Sequence, residues 1–329
     1  MAYHKSEHKT SELNKLRTSG WVKGESTGFI NIDESFTLLK GYPIFFAGAP
    51  HSGKTEVVME ILLNTSVLHG WKHFVYLGEN GDVEEIIADL CHKYICKPFK
   101  EQSGYAMSET ERAQAEMFIG EHFVFLDDEK DMTLTEYYEE VEMAEKEYGI
   151  KFDTTLFDPF NDAVDESGAM GGTHHFLNRE LKMVRKVSKA NKRIDILINH
   201  IADVATIVDK DTGNAYLRPA LPNEWNGGRT WWRRGFLMLL VYRPPAWLKD
   251  ENGMEYGENV SLLMVQKAKP KGIATYGSTT RLFWDWKYNR YYWKDTHGTR
   301  QFAFEINKPK ETLQPNTDFT GSINDEHPF

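Results

Sequence analysis

The sequence predicts an α/β fold: a mainly parallel sheet flanked on both faces by helices, with antiparallel strands at its C-terminal edge. Two observations predict it. From residue 42 to about residue 242, short apolar runs alternate with stretches of helical periodicity, the pattern of strands joined by helical crossovers. A glycine-rich segment from Gly48 to Thr55 falls between one such run and one such helix. Past residue 261 the apolar runs follow one another with only turns between them, which places the antiparallel strands last.

Each element has its own justification. Residues 42–47 (YPIFFA) form a continuous apolar run and read as a buried strand, followed by a helix over 54–69 and a strand over 74–77. Val83, Ile86, Ile87, Leu90, Tyr94 and Ile95 recur at helical spacing, so 83–95 is a helix. Ser108 with Glu111 makes a capping-box pattern that opens another helix. Residues 122–126 read as a strand and 134–148 as a strongly charged helix. The strand 154–157 stops at Asp158-Pro159, because proline has no N–H for the ladder. Residues 163–173 are rich in glycine and small residues and read as a loop. A helix over 174–190 and a strand over 194–199 follow, then a long polar segment over 203–229 and a strand over 236–242. Strands over 261–265, 279–284, 291–293 and 302–306 complete the pattern, and a short helix over 11–17 precedes it.

Bulk properties narrow the function. The 329 residues carry 39 Lys and Arg against 49 Asp and Glu, a net charge of −10. That excludes a general basic coat but leaves room for a groove or ring with a local basic lining. Cys91 and Cys96 fall in one helix and point in different directions, so neither a disulfide framework nor a zinc site is expected. The first residues lack the apolar core of a signal peptide, and the longest apolar run, 236–241, is too short to span a bilayer. A soluble protein of a reducing compartment, with no membrane partner, is expected.

Gly48-Ala49-Pro50-His51-Ser52-Gly53-Lys54-Thr55 fits G-x-x-x-x-G-K-S/T in full and sits between a strand and a helix, where the chemistry needs it. The glycines let backbone N–H groups turn inward as a nest for phosphate oxygens, and the helix N-terminus adds its dipole. Lys54 would reach the β- and γ-phosphates of ATP, and the Thr55 hydroxyl would hold Mg²⁺. A second Mg²⁺ carboxylate belongs at the C-terminal end of a neighbouring strand. Asp158 fits that position best. Asp127 competes, but it runs into Asp128-Glu129-Lys130-Asp131, which reads as a solvated turn. Glu79 and His200 each follow a strand, so each can point into the same edge, the first to orient water and the second to sense the γ-phosphate.

With these residues placed, the chain resembles the RecA-like P-loop NTPase motor of DnaB-type replicative helicases, shared by phage primase-helicases and Twinkle. The resemblance runs from about Gly24 to Tyr292 and opens with Thr27-Gly28-Phe29, Asp33 and Lys40-Gly41. It implies that Glu79 is the catalytic glutamate, Asp158 the Mg²⁺-associated aspartate and His200 the γ-phosphate sensor. It also implies a homo-oligomeric, usually hexameric ring around single-stranded DNA, moving 5′ to 3′, in the cytoplasm of a bacterial or phage-infected cell. The run Val265-Gln266-Lys267-Ala268-Lys269 resembles the family's lysine-x-arginine strand end, whose arginine reaches into the neighbouring subunit's ATP site. Lys269 stands where that arginine is expected. A lysine lacks the planar fork of donors, so Lys269 or Lys267 serves, or else Arg229, Arg233 or Arg234 takes over.

The expected organisation is an N-terminal arm with a possible linker helix over 1–23, a motor over 24–308 and a disordered acidic tail over 309–329. Candidate DNA contacts are Lys210, Arg218 and Arg229 in the long polar segment. Residues 311–329 contain no lysine or arginine, and Asp325, Glu326, Pro328 and Phe329 resemble tails that dock replisome partners such as a polymerase, a primase or a single-stranded DNA-binding protein. The reading is an ATP-driven replicative helicase. A recombinase or helicase loader, and a low-turnover nucleotide-binding scaffold, are the alternatives.

Overall fold

The computed structural model describes residues 5–79, 81–100, 105–127, 131–163, 168, 172–202, 204–210, 212–269 and 271–305. Helices α1 (Thr10–Ser19) and α2 (Ile30–Asp33) precede β1 (Ile44–Gly48). Then come α3 (Lys54–His69), β2 (His73–Leu77), α4 (Val83–Ile95), α5 (Glu109–His122), β3 (Phe123–Leu126), α6 (Leu134–Glu147) and β4 (Thr154–Asp158). These are followed by α7 (Thr173–Asn191), β5 (Ile194–His200), a small hairpin of β6 (Thr206–Val208) and β7 (Ala215–Leu217), α8 (Arg229–Arg234) and β8 (Leu237–Tyr242). Strands β9 (Val260–Ala268), β10 (Thr279–Asp285), β11 (Arg290–Lys294) and β12 (Arg300–Gln301) come last.

One sheet runs in the order β12-β11-β10-β9-β8-β1-β5-β4-β2-β3. From β8 to β3 every pairing is parallel, and from β8 to β12 every pairing is antiparallel. The alternation of side chains along each strand divides the core in two. Ile44 and Phe46 of β1, with Leu237, Leu239 and Val241 of β8, pack beneath α3, α4 and α5. Phe45 and Ala47, with Met238, Leu240 and Tyr242, pack beneath α6, α7 and α8 on the other face. Both faces of the strands are therefore buried, which is why they read as unbroken apolar runs.

Helix α3 is buried along most of its length, Glu60 and Asn64 included, because the antiparallel strands fold back over it. Arg290 of β11 donates to Glu60 Oε1 at 3.0 Å, and the Tyr291 backbone N–H donates to Glu60 Oε2 at 2.9 Å. The capping box at Ser108 forms as expected, and Thr133 with Glu136 forms another ahead of α6.

Three expectations change. The polar segment 203–229 carries the hairpin β6–β7, whose strands are short and exposed and so lack the alternating pattern of a half-buried strand. Over the described part, 302–305, of the strand expected at 302–306 there is no strand, and the two-residue β12 lies just upstream. Phe302 instead packs on Tyr292, and Phe304 lies against the Arg290 guanidinium. Aromatic content there reflects packing on side chains rather than a ladder. Helix α2 is an addition, a single turn too short to show a period in the sequence. Most of the expected loop 163–173 and the whole tail from 306, with Asp325, Glu326, Pro328 and Phe329, lie outside the described residues. No helix among the described residues is long and apolar enough to cross a membrane.

Candidate active site

The parallel strands bring the predicted residues together at one edge. Register pairs Gly48 with His200, Leu77 with Asp158 and Phe157 with Leu197, so β1 and β5 end together and β2 and β4 end together about two residues earlier, all at one edge. The glycine-rich loop turns there. His51 has φ 60° and Gly53 φ 83°, left-handed conformations that roll the chain into the first turn of α3. At Gly48 an added Cβ would lie 2.6 Å from the Val241 carbonyl oxygen, and at Gly53 it would lie 2.6 Å from the Tyr291 hydroxyl. Both positions thus need glycine for space, and Gly53 needs it for conformation as well. The Ser52 N–H donates to the Ala49 carbonyl at 3.1 Å, closing the loop on itself. The first N–H groups of α3 have no partner within the helix and line the mouth of this loop.

Asp158 is the centre of the polar cluster. It ends β4, is almost fully buried, and accepts a hydrogen bond from the Thr55 hydroxyl at 2.5 Å. Burial pushes its carboxyl up to about 6, opposed by the Thr55 hydrogen bond and the Lys54 ammonium, with Glu79 raising it further and His200 lowering it. Thr55, Lys54, Glu79 and His200, four of the residues picked from the sequence, thus act on Asp158, whereas Lys267 and Lys269 do not. Glu79 sits just past β2, and its Oε1 lies 3.3 Å from His200 Nε2. The competing Asp127 follows β3, the outermost strand on that side, about 10 Å across the sheet from β4.

Residues that sequence reasoning did not pick complete the edge. Asn161 Oδ1 accepts the His200 backbone N–H at 3.2 Å, and Asn199 Nδ2 donates to the Asn226 carbonyl at 2.9 Å. These amides pin the end of β5 to the segments after β4 and before α8. The position of Asn161, three residues beyond the key aspartate, was the only signal in the sequence that could have flagged it.

Hard oxygen donors at Thr55 and Asp158, a buried Lys54 ammonium, and buried Ser52 Oγ and His200 Nδ1 atoms without protein partners suit a metal-bound polyphosphate.

The remaining predicted residues lie elsewhere. Leu237 of β8 pairs with both Ile44 and Ala268, so the end of β9 stands level with the start of β1. Lys267 and Lys269 are therefore at the opposite edge from the glycine-rich loop of their own chain. The Lys267 ammonium lies 4.9 Å from the Trp232 ring centroid, with partial burial and Lys269 pulling it down to about 8. The Lys269 ammonium donates to the Arg233 carbonyl at 3.2 Å and lies 5.1 Å from the Phe236 ring centroid. In the polar segment, Arg218 is bound by Glu224 in a two-pronged ion pair of 2.6 and 2.8 Å. It holds Glu224 down to about 2 and is the less available of the basic candidates. Lys210 lies just past β6, and Arg229 opens α8.

No family model matches the chain. Over 179 residues it is 26% identical to the chloroplastic/mitochondrial Twinkle homolog protein of Arabidopsis thaliana, a match covering 53% of this chain and 25% of that protein. The chain thus spans about a quarter of that relative's length. In fold it is similar to a DnaB-like replicative helicase, with a TM-score of 0.66 and 13% identity, covering 88% of this chain and 68% of that one. A second solved structure, an ATPase domain, is similar to the same degree, with a TM-score of 0.65 and 12% identity, covering 88% of this chain and 99% of that one. The chain has the RecA-like fold seen in DnaB-like helicases and is similar in sequence to a Twinkle homologue. Within this RecA-like fold the parallel half of the sheet carries the glycine-rich loop, and the antiparallel half carries Lys267 and Lys269.

Proposed function

We propose that the chain is the motor of an ATP-driven replicative DNA helicase that acts as a ring on single-stranded DNA. The observation that carries the proposal is the convergence of Lys54, Thr55, Glu79, Asp158 and His200 on one sheet edge, beside a complete phosphate loop.

Each side chain then has a task. The loop Gly48, Ala49, Pro50, His51, Ser52, Gly53 cradles phosphate oxygens through its backbone, and Lys54 neutralises the β- and γ-phosphates. Thr55 and Asp158 would hold Mg²⁺, which supplies charge neutralisation at the transferring phosphoryl group. Glu79 orients the attacking water, and its contact with His200 couples that carboxylate to a residue able to hydrogen-bond the γ-phosphate. Lys267 and Lys269 serve the site of a neighbouring copy, since their own loop is out of reach. An assembly in which each copy's β9 end meets the next copy's loop is heterologous, and it closes as a ring. The exposed helix α1, none of whose residues is buried, supports a docking role on an adjacent subunit. Movement 5′ to 3′, a phage-like origin, DNA contacts at Lys210 and Arg229, and partner docking by the acidic tail belong to the same proposal.

The test is ATP hydrolysis with and without single-stranded DNA in wild type, Glu79→Gln and Lys269→Ala. DNA-stimulated turnover lost in both variants is the expected result. Tight ATP binding with no turnover under any condition would replace the motor with a nucleotide-binding scaffold.

A further inference from the structure

The sheet edge opposite the phosphate loop carries a groove of about 930 Å³ where β1, β5 and β8 begin. Its aromatic floor is Tyr42 and Phe236, with ring centroids 5.9 Å apart. Its wall is the C-terminal half of α7, which presents Arg185, Lys186 and Lys189, with Lys192 just beyond the helix end, all exposed. The Arg185 guanidinium lies 5.6 Å from the Phe236 ring centroid, and Lys269 approaches the same ring at 5.1 Å. Partial burial depresses the Lys269 pKa, and the nearby Arg185 and Arg234 lower it further.

What sets this cluster apart is the absence of carboxylates. The chain has ten more acidic than basic residues, and many of its other well-placed cations are paired. Lys93 bonds Glu56, Lys97 bonds Glu111 and Arg281 bonds Asp250. Even Lys40, on the rim of the groove, is held by Asp153. Among the described residues, Arg185, Lys186, Lys189 and Lys192 form no ion pair. Attraction to the negative end of the α7 dipole accounts for Lys189, which lies in the last turn. It does not reach Arg185 or Lys186.

We propose that this groove is a second nucleic-acid site, one that binds the phosphodiester backbone of a single strand at the edge remote from the chain's own glycine-rich loop. Arg185 and Lys189 are four residues apart, about 6 Å along the helix axis, with Lys192 a further turn on, a ladder of cations stepped on the scale of one nucleotide. Tyr42 and Phe236 beside it offer aromatic surface to bases without regard to sequence. An acidic peptide fits less well. The chain's own segment 306–329 has Glu311, Asp318, Asp325 and Glu326 as its only carboxylate side chains, too sparsely spaced to meet such a crowded cluster.

The experiment measures binding of a short fluorescent oligo-dT by the full chain, without nucleotide, across a salt series. It compares wild type, Lys186→Glu/Lys189→Glu and the milder Lys186→Gln/Lys189→Gln. Both pairs of side chains are exposed, and unchanged unfolding midpoints would confirm intact folding. Neutralising two contacts should weaken binding several-fold at low salt and reduce the log–log salt slope by about 1.4, with the charge reversal more severe. Identical affinity and slope in all three proteins would overturn the proposal. So would unchanged oligo-dT binding together with lost affinity for a synthetic peptide of residues 306–329, which would make the acidic segment the occupant. Because no ATP is present, a chain that hydrolyses nothing yet loses oligo-dT on charge reversal would sink the motor reading and leave this site standing.

Discussion

Lys54 and Lys269 stand at opposite edges of the same sheet. The Lys269 backbone N–H bonds the Phe236 carbonyl just below the start of β1, while Lys54 follows the end of that strand. The separation along the strand direction is about 17 Å, five residues of β rise, and no rotamer of lysine bridges it.

This separation makes a complementation test decisive. Lys54→Ala and Lys269→Ala should each abolish DNA-stimulated ATP hydrolysis alone. Mixed in equal amounts they should recover part of it, since roughly a quarter of the interfaces pair an intact loop with an intact Lys269. If the mixture shows no recovery, Lys269 does not act across an interface.

At the nucleotide edge, Glu79→Gln keeps the shape of the side chain but removes the charge that orients water. Turnover should fall by about 10²-fold or more, while binding of a fluorescent ATP analogue stays within a few-fold of wild type. A parallel loss of binding would show that Glu79 shapes the loop instead.

The buried pair Glu60–Arg290 ties the helix after the phosphate loop to β11. Burial raises the Glu60 pKa, and only the opposing effects of Arg290, Lys93 and the Tyr291 N–H keep a charge tolerable there. Glu60→Ala should cost about 3–5 kcal/mol by stranding the guanidinium. Replacing both partners, as Glu60→Leu/Arg290→Met, should recover much of it. Urea unfolding of the two variants distinguishes a stranded charge from a general packing defect.

His73 offers a pH test. It is fully buried between the Ser66 and Thr154 hydroxyls, at 2.9 and 2.7 Å, and burial drives its pKa down to about 3. The unfolded imidazole takes up a proton near its ordinary 6.5, so unfolding is linked to proton uptake between the two values and stability falls as pH falls. Between pH 7.5 and pH 5 this one group should remove about 2 kcal/mol. In His73→Gln the slope of stability against pH over that interval should be correspondingly shallower.

The fold was legible because burial on both faces leaves its mark as unbroken apolar runs, and the phosphate loop because only one spacing of glycines, lysine and threonine makes that turn. Glu79, Asp158 and His200 were legible for a related reason: parallel strands all end at one edge, so a polar residue just past each strand is already a candidate. The basic groove was not. Its cations are spread over α7, the start of β1 and the end of β9, and on α7 alone Arg185, Lys186 and Lys189 look like an ordinary solvated face. The absence of carboxylate partners emerges only when tertiary structure shows which charges meet. The hairpin β6–β7 escaped for the opposite reason, since strands exposed on both faces have no hydrophobic period to read.

The Tyr291 hydroxyl beneath Gly53 makes the antiparallel edge a floor under the phosphate loop. Tension or displacement applied to β9–β11 by whatever grips Lys267 and Lys269 would reach the loop and α3 through the Tyr291 ring and the Glu60–Arg290 pair. Under the proposed function, a chain pulled from its remote edge would thus register the load as a change in how firmly the glycine-rich loop holds a nucleotide.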